Sequence, residues 1–483
     1  MNTEESHKSQ KPHAIMISFH LQGHIIPFVN LAIKLASKGF SITFAHLDYI
    51  HHQITKSHNT TAENIDIFAQ ARKSGLEIHY TTLSDGFPVE FNRSANFDEH
   101  LDSFLYQFPD KVDELVGKIV NSHPGNYFLI ADTFCVWHEK IAKKYNLVNV
   151  SFWTEPALVF SLYYHLELLR ENGDVPVNRR QVNVDYVPGI KSINTKDFMS
   201  YFQDSELHLI HKVIFRAFDL VKEADFILCN TVQELESETI SALQQKQPFY
   251  AIGPLFEPHF ANNSVARSLL PESNCADWLN SKPDGSVLYV SFGSLAKTDK
   301  NVIIEIAGGL LLSEVNFIWV LRPGIVESVN ELLPDGFLDS VKDRGLIVPW
   351  CSQIQILTNQ AIGGFLTHCG WNSVLESIWC GVPMICYPLF TDQITNRKLV
   401  VDDWRVGMNL CDGESITKEE VAEKIGSLMS GERADELRQE IGKVRKTLEI
   451  ALAKDGSSDK NFDCFVQDVT AEILRCEKNV ALN

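Results

Sequence analysis

Between Trp350 and Gln393 the chain reads WCSQIQILTNQAIGGFLTHCGWNSVLESIWCGVPMICYPLFTDQ, without a lysine or an arginine. Gly364-Phe-Leu-Thr ends a strand at His368, Gly370 allows a tight turn, and Trp371 to about Cys380 has helical spacing that Gly381 and Pro383 stop. A strand, turn and helix in that order aim unpaired backbone N–H groups and a positive dipole end beyond the strand. Such a junction holds an anion with no cationic side chain, and a diphosphate fits it. Val374, Leu375, Ile378 and Trp379 form the apolar stripe of the helix, whereas Asn372 and Glu376, four apart, share the other face. A carboxylate placed there can accept from two vicinal hydroxyls, which suggests a ribose. Trp350, just past the apolar run Gly345–Val348, offers a flat face on which a base can stack.

A second centre lies near the N-terminus. His24 begins a helical run behind the strand-like Ala14–Phe19, and an imidazole, with a pKa of about 6.5, suits proton abstraction at neutral pH. The helix start favours its neutral form. Asp132 follows the buried run Phe128–Ala131, where the strand-end rule lets it accept from the other ring nitrogen. Each residue has an ordinary alternative: a helix-capping His24, a loop acid at Asp132, core aromatics at Trp350 and Trp371, a solvated Glu376. His20 is read as packing at the strand end, and Cys351 and Cys369 as small buried residues without a metal partner.

The elements that must position these groups are α/β. Ile25, Phe28, Val29, Ala32, Leu35 and Ala36 line one helical face, Pro27 is tolerable in a first turn, and Gly39 stops the helix before the strand Ser41–Phe44. Val148–Phe152 and Phe226–Cys229 repeat the buried-strand signature of an open doubly wound sheet. A second series follows in Ser286–Phe292, Phe317–Leu321, Gly345–Val348, Gly364–Leu366 and Pro383–Cys386. Between the two series, Gly253-Pro254, Pro258, Asn262-Asn263-Ser264, Pro271 and Pro283-Asp284-Gly285 read as a connector. The boundaries expected are 1–255, a linker over 256–285, 286–456, and a last helix over 457–483. Phe462, Phe465, Val466, Val469 and Ile473 make one stripe of that helix, so it needs a partner surface.

The 483 residues, 45% hydrophobic and 22% charged, suffice for two full cores and exclude a disordered chain. With 43 Lys and Arg against 62 Asp and Glu, the net charge of −19 repels nucleic acid and anionic membranes. The ten cysteines form no CxxC pair, which implies a reduced cytosolic chain, and the sequons at Asn59 and Asn262 carry no weight there. The polar start Met1–Lys11 lacks the order of a secretory signal, and no apolar run is long enough to span a membrane. A cytoplasmic, monomeric, soluble protein is expected. GxGxxG after the first strand, a phosphate-binding GxxxxGK[ST] and a GxSxG elbow are all missing, which argues against three other enzyme classes.

The Trp350–Gln393 window resembles the signature box of the plant family 1 UDP-dependent glycosyltransferases, through its HCGWNS core, the following Glu, GVP and the closing Asp-Gln. The resemblance extends to Gln22-Gly-His24, Ala131-Asp132-Thr-Phe, Gly253-Pro254-Leu255 and Ser291-Phe-Gly-Ser294, nearly the whole chain. It implies the GT-B fold: two Rossmann-like domains facing across a cleft, the acceptor in the N-terminal one, the UDP-sugar mainly in the C-terminal one, and the final helix returning to the first. His24 and Asp132 match the family's catalytic pair. The resemblance makes Trp350 the uracil stacker with Cys351 beside it, Gln353 a nucleoside contact and Glu376 the ribose ligand. It assigns the phosphates to His368, Gly370, Asn372 and Ser373, with Gly293 and Ser294 lining the pocket, and the sugar to Trp371, Asp392 and Gln393. The closing Gln is associated with glucose, so UDP-glucose is the implied donor substrate, with no cofactor and no metal. Ser352 and Asn359-Gln360 depart from the usual Pro and His-Pro of the box. Phe87, Phe91, Trp153, Phe160 and Phe198 are candidates for an apolar acceptor pocket, with core packing the competing reading. An epimerase or hydrolase on the same fold, or an inactive UDP-sugar-binding protein, are the rival functions.

Overall fold

The computed structural model describes residues 11–482 apart from 58–65, 94, 123–124, 179, 204–207, 256–271, 295–298, 323–331, 412 and 414. Asn59, Asn262 and most of the connector lie outside the described residues. The first sheet contains β1 (His13–Ile17), β2 (Ser41–Leu47), β3 (Ile78–Leu83), β4 (Tyr127–Asp132) and β5 (Val148–Trp153). A two-residue ribbon, β6 (Asn183–Val184) with β7 (Ile193–Asn194), precedes its last strands, β8 (Phe226–Cys229) and β9 (Phe249–Ala251). The second sheet contains β10 (Val287–Ser291), β11 (Asn316–Val320), β12 (Gly345–Val348), β13 (Ile362–Thr367), β14 (Met384–Cys386) and β15 (Gly407–Asn409).

Both sheets are wholly parallel, ordered β3-β2-β1-β4-β5-β8-β9 and β12-β11-β10-β13-β14-β15. Their strands are apolar because helices cover both faces; every residue of β2, β5 and β13 is buried. The chain reverses its direction of winding between β1 and β4, and again between β10 and β13. A doubly wound sheet opens a crevice at the strand ends beside that reversal. His24 and Asp132 flank the first crevice; Gly293 and His368 flank the second.

The helix after β1 spans Gln22–Ser37, which puts Pro27 in its second turn rather than its first. Proline has no N–H, so the carbonyl four residues back, that of Gly23, has no helical donor. Asn372 Nδ2, from the other half of the molecule, donates to it at 2.9 Å. The described part of the 256–285 stretch is packed rather than extended: it carries a helix, Ala276–Asn280, with Leu279 buried.

The last helix, Ser457–Leu482, lies against the first sheet. Phe462, Phe465, Val469 and Ile473 are buried, while Val466 is half-buried. Phe465 meets the rings of Phe226 and Tyr250, Tyr250 donates to Asp468 at 2.6 Å, and Asn461 Nδ2 donates to the Ala251 carbonyl at 2.9 Å. All ten cysteines are free. Among the described residues no helix is long and apolar enough to cross a membrane, and no cluster of three or more His, Cys, Asp or Glu could hold a metal ion.

Candidate active site

A cavity of about 430 Å3 runs between the ends of the two sheets, lined from the first by His24, Thr154 and Asn230 and from the second by Trp350, His368, Glu376 and Gln393. His24 is the third residue of its helix, 7% exposed, with its ring between Phe19 and Phe134. Its Nδ1 lies 2.7 Å from Asp132 Oδ2. An ionised carboxylate only accepts, so that nitrogen carries the proton and Nε2 keeps its lone pair. Asp132 ends β4, and its other oxygen accepts from the Phe134 N–H at 3.0 Å. Thr154 Oγ1, 3.1 Å from the same Nδ1, is a partner the sequence reading missed. It follows β5, so the strand-end rule that found Asp132 would have found it.

At the second sheet the turn after β13 differs from the expectation. Cys369, not Gly370, takes the left-handed conformation, with φ of 65°. Gly370 has ordinary dihedrals and caps the helix Trp371–Cys380. Its lack of a side chain serves another end: a Cβ there would sit 2.6 Å from His368 Nε2. Gly293, with φ of 75°, is pressed against the same ring, its own Cβ falling 2.5 Å from Nε2. Two glycines thus seat the His368 imidazole at the mouth of the β10 and β13 crevice. Burial pushes its pKa down to about 4, partly offset by a hydrogen bond that the ring donates to the Ser291 backbone, with Arg322 lowering it further. The ring is neutral at pH 7. Arg322 is close enough to act on His368 but does not line the cavity.

The first helix bond is Val374 N–H to Gly370 C=O, which leaves the N–H groups of Trp371, Asn372 and Ser373 without helical acceptors. Trp371 is 4% exposed and its indole N–H donates to the Asn230 carbonyl at 2.8 Å. Its side chain therefore joins the two halves, leaving the backbone N–H as its polar offering. Gln353 Nε2 bonds both Ser373 Oγ, at 2.9 Å, and Glu376 Oε2, at 2.8 Å. That bridge holds the Glu376 carboxylate, which lines the cavity as Trp350 does, and leaves the Gln353 carbonyl as its remaining polar group. Cys351 is almost fully buried but also lines the cavity, its Sγ 3.9 Å from the Tyr289 hydroxyl. Ser294 lines the cavity next to Gly293.

The far end is closed by Asp392 and Gln393. Asp392 accepts from Thr391 Oγ1 at 2.7 Å and Asn396 Nδ2 at 2.6 Å. Burial raises its pKa, and those two bonds work against the rise. Gln393 Oε1 accepts from the N–H groups of Leu389 and Phe390 at 2.9 and 3.2 Å, which turns its amide. This corner is clasped from the first half: Thr391 N–H bonds Ser200 Oγ at 2.8 Å, Thr395 Oγ1 bonds the Asp197 carbonyl at 2.7 Å, and Arg397 pairs with Asp197.

None of the five aromatics proposed for the acceptor lines the cavity. Trp153, Phe160 and Phe198 are fully buried core, and Phe87 and Phe91 stack on each other at 4.2 Å. The wall is made instead by Phe19, Phe97, Phe134, Tyr163, Tyr201 and Ile210. Glu155 and Asn230 also line it, and the sequence reading singled out neither.

Residues 263–440 match the family model described as UDP-glucoronosyl and UDP-glucosyl transferase. UDP-glycosyltransferase 86A1 of Arabidopsis thaliana is 54% identical over 479 residues, covering 97% of this chain and 96% of that one. Among solved structures, a UDP-glucose: anthocyanidin 3-O-glucosyltransferase in complex with UDP aligns with a TM-score of 0.81 at 26% identity, covering 96% of this chain and 100% of that one. A structure of Phytolacca americana UGT2 complexed with UDP-2fluoro-glucose and pterostilbene aligns with a TM-score of 0.77, also at 26% identity, covering 95% of this chain and 100% of that one. With its two facing Rossmann-like sheets in the GT-B arrangement, the chain is an enzyme that belongs to the plant family 1 UDP-dependent glycosyltransferases.

Proposed function

We propose that the protein transfers glucose from UDP-glucose to a hydroxyl of a small, largely apolar acceptor, inverting the anomeric carbon. The observation that carries this is His24, backed by Asp132, opening into the same cavity as the free N-terminal turn of the helix Trp371–Cys380. His24 Nε2 takes the proton of the acceptor hydroxyl, Asp132 steadies the imidazolium, and the oxygen attacks the sugar C1 from the face opposite the diphosphate. As the new bond forms, the C1–oxygen bond to UDP breaks and its electron pair passes to the β-phosphate. Backbone N–H groups of residues 371–373 and the neutral His368 meet that charge without reorganising. A single displacement of this kind inverts. Proton removal is worth about 10²–10⁴ in rate. Positioning by Glu376, Trp350, Asp392 and Gln393 contributes to the rest.

Glucose is supported by the Gln closing the signature box and by the UDP-2fluoro-glucose in the Phytolacca americana complex. The apolar walls, and the pterostilbene in that complex, support a phenolic or similar acceptor. The test is incubation with UDP-glucose, UDP-galactose and UDP-glucuronic acid against a panel of hydroxylated metabolites, read by mass spectrometry. UDP-glucose should give the fastest glucoside formation, and chelator should leave the rate unchanged. His24→Ala should cut kcat about 100-fold or more while UDP still raises the melting temperature. Equal turnover by His24→Ala, or UDP-glucose hydrolysis with no glucoside from any acceptor, refutes the reading.

A further inference from the structure

Glu155 lines the cavity and has no part in the chemistry above. It lies between Thr154, which touches His24, and Pro156, which precedes the helix Ala157–Tyr164. Its main chain is held on both sides: Cys229 Sγ donates to the Glu155 carbonyl at 3.4 Å, and the Trp153 indole N–H to the Pro156 carbonyl at 3.0 Å. The carboxyl itself is different. Asp132, Asp392 and Glu376 are each tied by hydrogen bonds, whereas Glu155 makes no side-chain hydrogen bond among the described residues.

Its surroundings are apolar and anionic. Tyr163 and Tyr201 are close enough for its charge to act on both phenols, and both line the cavity, as do Ile210 and Ile214. Among the described residues no lysine or arginine lines the cavity, and the charges of Asp392 and Asp132 both bear on Glu155. Burial and those two charges push its carboxyl well above the usual carboxylate range. A protonated carboxyl both donates and accepts, so a hydroxyl or an amide satisfies it fully. An acceptor carboxylate would add charge to a pocket that has none of the opposite sign.

We infer that Glu155 is an acceptor-specificity residue, hydrogen-bonding a neutral polar group of the acceptor remote from the reacting hydroxyl and disfavouring acceptors that carry a carboxylate. This rests on the glycosyl-transfer reading above. A site built to pair a polar group rejects the analogue that lacks the match, because its own buried group goes unpaired.

The experiment compares phenols in matched pairs, 4-hydroxybenzamide with 4-hydroxybenzoate and 6-hydroxy-2-naphthamide with 6-hydroxy-2-naphthoate, in wild type, Glu155→Gln and Glu155→Leu. The quantity read is the amide-to-carboxylate ratio of kcat/KM, in which any general loss of activity cancels. Wild type should favour the amides about 10-fold or more, mainly through KM. Glu155→Gln, which still donates and accepts, should keep the ratio within about threefold, and Glu155→Leu should lower it about 10-fold. An equal ratio in wild type and Glu155→Leu, or a wild-type preference for the carboxylates, overturns the inference. Should UDP bind while no phenol is glycosylated, the transfer reading falls. The same pairs are then titrated calorimetrically into the UDP complex, where an amide preference lost only in Glu155→Leu upholds the role of Glu155 and an unchanged one overturns it.

Discussion

Replacing Asp132 by Asn changes one atom type in the proposed catalytic pair. The Phe134 N–H, 3.0 Å from Oδ1, can only donate, so it fixes the Asn carbonyl on that side. The amide NH2 is then forced to the position of Oδ2, 2.7 Å from His24 Nδ1. It donates there, the ring proton moves to Nε2, and the lone pair that should receive the acceptor's proton is gone. The lost charge adds to this. At an effective dielectric constant of about 20 and about 4 Å between charge centres, a carboxylate stabilises an imidazolium by about 4 kcal/mol, or roughly 10³ in rate. We expect kcat to fall about 10²–10⁴-fold, with KM for UDP-glucose within about threefold because Asp132 touches nothing of the donor end. Initial rates from coupled detection of released UDP, with melting curves for both proteins, measure it. A folded Asp132→Asn enzyme that keeps more than a tenth of kcat would refute the tautomer argument.

Gly293→Ala puts a Cβ against His368 Nε2 at a positive φ, so we expect a loss of about 1–3 kcal/mol and UDP binding weakened at least about 10-fold, read by melting and by calorimetric titration. Arg397→Ala leaves the buried Asp197 without its ion partner, which should cost about 3 kcal/mol in urea unfolding; Asp197→Asn in the same background should recover about half. Burial lowers the Lys34 pKa from its ordinary 10.5 to about 8, where its ammonium sits 4.4 Å from the Phe462 ring centre, with Asp459 and Asp463 opposing the shift and Lys38 adding to it. Between those values unfolding takes up a proton, so stability should rise with pH from about 8 to 10.5 and level off above. Lys34→Met should flatten that rise relative to wild type in urea titrations at pH 7.5, 9 and 10.5.

Much of the molecule is legible without coordinates, because buried parallel strands are apolar on both faces. The runs around Ile15, Leu129, Val150, Leu288 and Ile318 stand out for that reason. Three strands of the two main sheets escape notice, besides the two-residue ribbon β6–β7. Ile78–Leu83 is the edge of the first sheet and mostly half-buried, and Phe249–Ala251 and Gly407–Asn409 span three residues each, too short for any periodicity. The signature window places its residues well, but types and spacing say nothing of who occupies a polar group. That the Trp371 indole N–H goes to Asn230, leaving its backbone N–H, and that the Gln353 amide N–H goes to Glu376, leaving its carbonyl, is visible only in the structure. The apolar wall of the cavity is illegible for a different reason. Phenylalanines of core and cavity look alike in sequence, and only packing separates the buried Phe160 from the exposed face of Phe97.

Pro27, Gly23 and Asn372 have a consequence for recombining enzymes of this kind. The proline leaves a vacancy in its own helix one residue from the proposed general base, His24, and the amide that fills it is encoded some 350 positions later. Grafting a foreign second half that lacks an amide at that site would strand the Gly23 carbonyl and loosen the turn that presents His24. Hybrids cut anywhere between the two sheets should therefore inherit Pro27 and Asn372 from a single parent, or lose turnover even when both nucleotide and aglycone sites arrive intact.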